Sequence, residues 1–229
     1  MFYPYYFDPT MILLVPAILF TMYAQMKINS AYGRYSKVGT RNNITGAQAA
    51  RIILDRNGLH DVKIEFVNGK LSDHYDPRVR VLRLSSGVYN STSIASVGIA
   101  AHECGHAIQH ANSYSLLKFR NTIVPVVNFA SNLAWPLLIF GLLFSFPAAQ
   151  SFGILAFVLV VVFHLVTFPV EVDASGRALK QLTDNGIVYN EELGGAKKVL
   201  SAAAMTYLAA LATAIMNLLR IVIIARRDD

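Results

Sequence analysis

The sequence predicts a mainly α membrane protein, with four transmembrane helices and one small α+β domain on the cytoplasmic side. Three observations predict it. Of 229 residues, 54% are hydrophobic and only 15% are charged, too apolar a balance for a soluble domain of this length. The apolar residues are gathered in blocks: residues 11–26 and 202–219 are uncharged, and 123–170 holds two apolar stretches separated by Ser145-Phe146-Pro147-Ala148-Ala149-Gln150-Ser151. Lysine and arginine, finally, fall on alternate sides of these blocks.

Each block approaches the roughly 20 residues that cross a bilayer core as helix. The expected spans lie near residues 10–28, 123–145, 151–170 and 199–224. The first is not read as a cleaved leader, because no basic residue precedes it and no small-x-small site follows its apolar core. Lys27, Arg34, Lys37, Arg41, Arg51 and Arg56 follow the first block, Lys118 and Arg120 precede the second, and Arg177, Lys180, Lys197 and Lys198 lie between the third and fourth. Residues 1–10 and 145–151 carry neither Lys nor Arg. The positive-inside rule therefore puts residues 29–120 and 171–198 in the cytoplasm and the amino terminus outside. Arg226 and Arg227 then fall outside against the rule, beside Asp228 and Asp229. The net charge of +6 is accounted for by juxtamembrane lysines and arginines facing anionic lipid, so the bilayer is the expected partner and no nucleic acid is implied.

Within the cytoplasmic part, residues 29–44 read as a polar connection leaving the membrane. Thr45-Gly46-Ala47-Gln48 is a capping box, in which hydroxyl and carboxamide satisfy free N–H groups at a helix start. That helix runs through Ile52, Ile53 and Leu54 and stops at Asn57-Gly58, where glycine supplies the left-handed residue. Val62, Ile64 and Phe66 alternate with more polar positions, predicting a strand that ends in the hairpin turn Asn68-Gly69. Residues 78–84 form the next predicted strand, and Ser91, Thr92 or Ser93 can cap the following helix.

That helix carries His102-Glu103-Cys104-Gly105-His106. Histidines four apart on a helix lie on one face about 6 Å apart, so both imidazoles can bind one zinc ion, while Glu103 stands beside the metal as a base. A helix, a small sheet and then an H-E-x-x-H helix is the order of a zincin metallopeptidase core. In such a core an edge strand binds extended substrate by backbone hydrogen bonds, and residues 78–84 are the candidate. Cys104, the single cysteine, is rotated about 100° from its neighbours on a helix and is read as packing.

A catalytic zinc takes three protein ligands and a water. His110 lies about 12 Å along the helix from His102, beyond the reach of one ion. His164 sits inside the third apolar block and is assigned to packing or hydrogen bonding. Glu171 is the better candidate, standing where that block ends on the side of the H-E-x-x-H domain. A helix starting after Pro169 would present Glu171, Ala174 and Ser175 on one face. Asp173 could then hold a histidine's second nitrogen.

Three stretches carry a family resemblance: Ser72-Asp73-His74-Tyr75-Asp76-Pro77, Ala101-His102-Glu103-Cys104-Gly105-His106-Ala107-Ile108-Gln109-His110, and Phe168-Pro169-Val170-Glu171-Val172-Asp173-Ala174-Ser175. Together they resemble the YugP-like neutral zinc metallopeptidases of bacterial membranes, distant relatives of the HtpX heat-shock proteases and CAAX prenyl endopeptidases. In those relatives the third ligand belongs to a Glu-x-x-Ala-Asp pattern. Glu171 matches the ligand, and Ser175 replaces the outer-shell acid. The resemblance implies a multi-pass endopeptidase of a bacterial cell membrane with its active site in the cytosol, acting on protein or peptide substrates.

The expected chemistry is peptide hydrolysis at Zn2+ held by His102, His106 and Glu171, with Glu103 as general base and His74 or Tyr75 as oxyanion donor. The expected organisation is residues 1–28 first membrane helix, 29–120 zincin-like catalytic domain, 121–170 membrane hairpin, 171–198 cytoplasmic segment with the third ligand, and 199–229 last membrane helix and tail. Rival readings are cleavage inside the bilayer, a catalytically silent zinc-binding membrane scaffold or adaptor, and a metal transporter. The first needs the motif on a long apolar helix, and residues 94–101 are too short a run. The second has no use for Glu103. The third needs ligands at mid-membrane, where only His164 is available. Membrane partner proteins or a homo-oligomer are compatible with four helices.

Overall fold

The computed structural model describes residues 9–225. Residues 1–8 and the tail Arg226, Arg227, Asp228 and Asp229, on which part of the charge argument rests, lie outside the described residues. The chain divides into two compact units. One comprises Met1–Ala24, Phe119–Phe168 and Thr206–Asp229, the other Gln25–Lys118 and Pro169–Met205.

Among the described residues, four helices are long and apolar enough to cross a membrane. The first is a 3-10 turn, Pro9–Leu14, leading into α1 (Val15–Tyr35); the others are α5 (Ser115–Leu143), α6 (Pro147–Asp184) and α7 (Asn190–Ala225). All extend past the apolar blocks. At 1.5 Å per residue, the 38 residues of α6 measure about 57 Å, nearly twice the roughly 30 Å hydrocarbon core. Two expectations are corrected. Residues 29–35, read as connection, continue α1 as helix. No new helix begins after Pro169, because α6 runs unbroken through it. The missing proline N–H costs one ladder bond, which long helices of this kind tolerate where neighbours restore the lost contacts.

Within the first unit, small residues let these helices close on one another. Ala130, Ala134 and Leu138 of α5 pack with Ala156 and Phe157 of α6 and Ile221 of α7. A Cβ on Gly153 would stand 2.6 Å from Leu138 Cγ, so that crossing needs glycine.

The second unit is built from short-range signals. Thr45 and Gln48 form both bonds of the capping box at the start of α2 (Gly46–Arg56), which ends at Asn57, followed by Gly58 at φ +70°. The sheet has β1 (Lys63–Val67), β2 (His74–Asp76) and β3 (Val81–Ser85) in the order β1-β3-β2. β1 runs parallel to β3 and β2 antiparallel to it. Asn68-Gly69 therefore closes no hairpin; the chain crosses from one edge of the sheet to the other. The expected edge strand is likewise corrected: β3, with four of its five residues buried, is central, and β2 is an edge. A one-turn helix α3 (Ser86–Tyr89) precedes α4 (Ile94–Ala111). Ile53, Leu54, Leu82, Leu84, Val97, Cys104, Leu182 and Ile187 form one buried core beneath α2, the sheet and α4.

Candidate metal centre

The helix that carries the motif starts where Ser93 Oγ accepts the Ser96 N–H, the capping expected of one of three neighbouring hydroxyl residues. His102 and His106 then sit one turn apart on α4, with ring centroids 4.8 Å from each other. Glu171 arrives from α6. Its approach depends on Gly105, because a Cβ there would stand 2.5 Å from the Ala174 carbonyl oxygen and 3.1 Å from its carbon. The α6 backbone thus lies directly on α4, and a side chain at Gly105 would push it off. Gly105→Ala is expected to destabilise the fold by about 1–3 kcal/mol through overpacking and to lower zinc content. Gly176→Ala, which meets nothing within 4 Å, should change neither. Wild-type melting and zinc content in Gly105→Ala would refute this packing argument.

Glu171, one residue past the third apolar block, is 2% exposed. Its Oε2 lies 3.2 Å from His102 Nε2 and 3.5 Å from His106 Nε2. Burial alone would raise its pKa, but hydrogen bonds from His102 and His106 outweigh burial and hold it well below the usual carboxylate range. Burial works against a charge on His106 too, and the bond to Glu171 reverses that and raises its pKa. One ligand atom from each of the three residues lies within 4.8 Å of the others, and among the described residues no other group of His, Cys, Asp and Glu converges in this way. Two imidazole nitrogens and one carboxylate oxygen are a donor set of catalytic zinc. The residues present fit that ion.

The outward nitrogens are held from behind. His102 Nδ1 is 3.1 Å from Ser175 Oγ, and His106 Nδ1 is 3.0 Å from Gln109 Oε1. Asp173 touches neither ring, contrary to expectation. It lies two residues beyond Glu171, about 200° around the helix, and accepts instead from Gln109 Nε2 at 2.8 Å and from Arg177 Nε at 2.6 Å. The sequence pattern assigns Gln109 no role of its own, and the signal it carries is its spacing: three residues after His106 it occupies the same helical face.

Glu103, 9% exposed, accepts the Tyr75 backbone N–H at 3.1 Å through Oε2. The edge strand β2 is therefore bound to α4 at the glutamate, and again at His110, whose Nδ1 is 2.9 Å from the Tyr75 hydroxyl. His74 is corrected. Successive strand residues point to opposite faces, and His74 takes the face away from α4, where Nδ1–H donates to the Ser72 carbonyl at 2.8 Å and Nε2 accepts from Arg83 at 3.4 Å. Cys104 turns into the core, with its thiol on the Ala50 carbonyl and its pKa pushed up by burial. His110 is outside the three-residue group, and His164 belongs to the other unit.

The profile of a family described as "Putative neutral zinc metallopeptidase" matches residues 10–226. The chain belongs to that family. The match spans all four long helices, the H-E-x-x-H helix and Glu171. A relative within reach is "Putative membrane protease YugP" of Bacillus subtilis (strain 168), 47% identical over 212 residues, which are 93% of this chain and 94% of that protein. No solved structure matches the chain. Membership of the zinc metallopeptidase family agrees with the donor set found in α4 and α6.

Proposed function

We propose that this protein is a membrane-anchored zinc endopeptidase of a bacterial cell membrane, with a zincin-like active site facing the cytoplasm. The observation that carries the reading is the convergence of His102, His106 and Glu171 beside a buried Glu103. The proposed catalytic body combines residues 29–120 with 171–198, flanked by the first membrane helix (1–28), the hairpin (121–170) and the last helix and tail (199–229). The compact unit of Gln25–Lys118 and Pro169–Met205 supports that grouping.

His102, His106 and Glu171 would hold the zinc, which when bound supplies Lewis-acid activation of water and of the scissile carbonyl. Glu103 takes the proton of the attacking water and delivers it to the leaving amine. The Tyr75 N–H keeps one oxygen of Glu103 engaged, fixing the orientation of the carboxylate that does this work. The Tyr75 phenol, aimed by His110, is the donor assigned to the oxyanion. The N–H on the outer edge of β2, that of Tyr75, is taken by Glu103, so an extended protein or peptide substrate would meet that edge at the Tyr75 carbonyl.

Sealed membrane vesicles test activity and sidedness together. Inside-out vesicles should hydrolyse an added unfolded protein, lose that activity to a zinc chelator and recover it with added zinc, whereas right-side-out vesicles should be inactive. Activity confined to right-side-out vesicles would overturn the cytoplasmic placement. Zinc-loaded protein inactive in both orientations would favour the silent scaffold.

A further inference from the structure

The Gln109 side chain is fully buried and makes three hydrogen bonds. Its Nε2 donates to the Val170 carbonyl and to Asp173 Oδ2, each at 2.8 Å, and its Oε1 faces His106 Nδ1 at 3.0 Å. The orientation of a carboxamide is normally a matter of assignment. Here the two neighbours decide it. Both Val170 O and the Asp173 carboxylate are acceptors only, so a flipped amide would set Oε1 against two oxygens and turn Nε2 toward the ring. Oε1 must therefore accept, and His106 must carry its proton on Nδ1. The lone pair of a neutral His106 is then on Nε2, the nitrogen facing Glu171.

His102 has no such constraint. Its partner, Ser175 Oγ, is a hydroxyl that rotates and either donates or accepts. Asp173 in turn is held by Arg177, whose guanidinium lies over the Tyr114 ring at 5.8 Å. A single file of contacts thus runs from Tyr114 through Arg177, Asp173 and Gln109 to one of the two histidines.

We infer that Gln109 is the positioning residue of the metal centre: it locks the tautomer and ring orientation of His106, and Asp173 acts on the metal only through it. This rests on His106 being a zinc ligand, as proposed above. The test is the zinc Kd of the purified full-length protein by chelator competition, with the melting midpoint recorded for each variant. Gln109→Met, an apolar side chain of similar length, should weaken zinc binding by about 10- to 100-fold with a folded melting transition. Gln109→Glu keeps an oxygen for Nδ1–H but turns its other oxygen on Val170 O and the Asp173 carboxylate, so it should recover most of that loss only beside Asp173→Ala, where that oxygen can take a proton and donate to Val170 O. Asp173→Ala should weaken zinc in the wild-type background and have no further effect beside Gln109→Met, where the amide donors it receives are gone. If Gln109→Met does not fold, the Asp173→Ala/Gln109→Glu protein decides: zinc affinity close to that of Asp173→Ala supports the role, and affinity far below it overturns it. Equal loss from Asp173→Ala in both backgrounds, or wild-type affinity in Gln109→Met while His106→Ala loses the metal, would overturn the role of Gln109. Wild-type affinity in His106→Ala would instead overturn the metal centre itself.

Discussion

Glu103→Gln should retain zinc at wild-type stoichiometry and lose proteolysis of an unfolded protein by about 10²- to 10⁴-fold, the contribution of a positioned general base. The two effects separate because of where Glu103 stands. It is not one of the three converging donors, so the ligand set is untouched. Its carboxylate accepts the Tyr75 N–H, and the amide oxygen of glutamine can accept the same bond, so β2 stays docked on α4. What the amide cannot do is take a proton from water. Initial rates with a fluorescently labelled unfolded substrate, together with elemental analysis of zinc, measure both quantities. Substantial activity in the zinc-loaded variant would sink the mechanism.

Glu171→Ala should remove most of the zinc, a larger loss than the roughly 10- to 100-fold that outer-shell changes produce. His102→Ala and His106→Ala should behave in the same way. His110→Ala and His164→Ala should keep the metal, the first because its Nδ1 is engaged by Tyr75, the second because its residue lies in the other unit. Asp173→Ala should fall between, since its carboxylate reaches His106 only through Gln109. Elemental analysis after dialysis ranks the series. Stoichiometric zinc in Glu171→Ala, with loss in His110→Ala or His164→Ala, would move the metal centre elsewhere.

The parts of this protein legible in its sequence are those written within one or two helical turns. The capping box of Thr45 and Gln48, the stop at Asn57-Gly58, the cap at Ser93 and the spacing of His102 and His106 all depend on residues a few positions apart. So do the apolar blocks, because spanning length is a property of contiguous residues. Where the structure departs from local pattern, the deciding partner is distant in sequence. Asn68-Gly69 looks like a hairpin turn, yet β1 pairs in parallel with β3 and leaves β2 on the other edge. Local turn preference cannot report which strand will be the neighbour. His74 and Tyr75 looked equivalent as donors until the pairing of β2 with β3 assigned them opposite faces.

By itself, then, the sequence determined the long apolar helices and the pair of histidines with their adjacent glutamate, because each follows from composition or from the fixed pitch of a helix, and it pointed to Glu171 by its place at the end of an apolar block and by family resemblance. Tertiary structure alone decided that α6 continues unbroken past Pro169 and lies against Gly105, that Tyr75 holds Glu103, and that Asp173 reaches His106 through Gln109. Those contacts join residues from 28 to more than 60 positions apart, and their existence depends on how closely two backbones can approach, which no local pattern encodes.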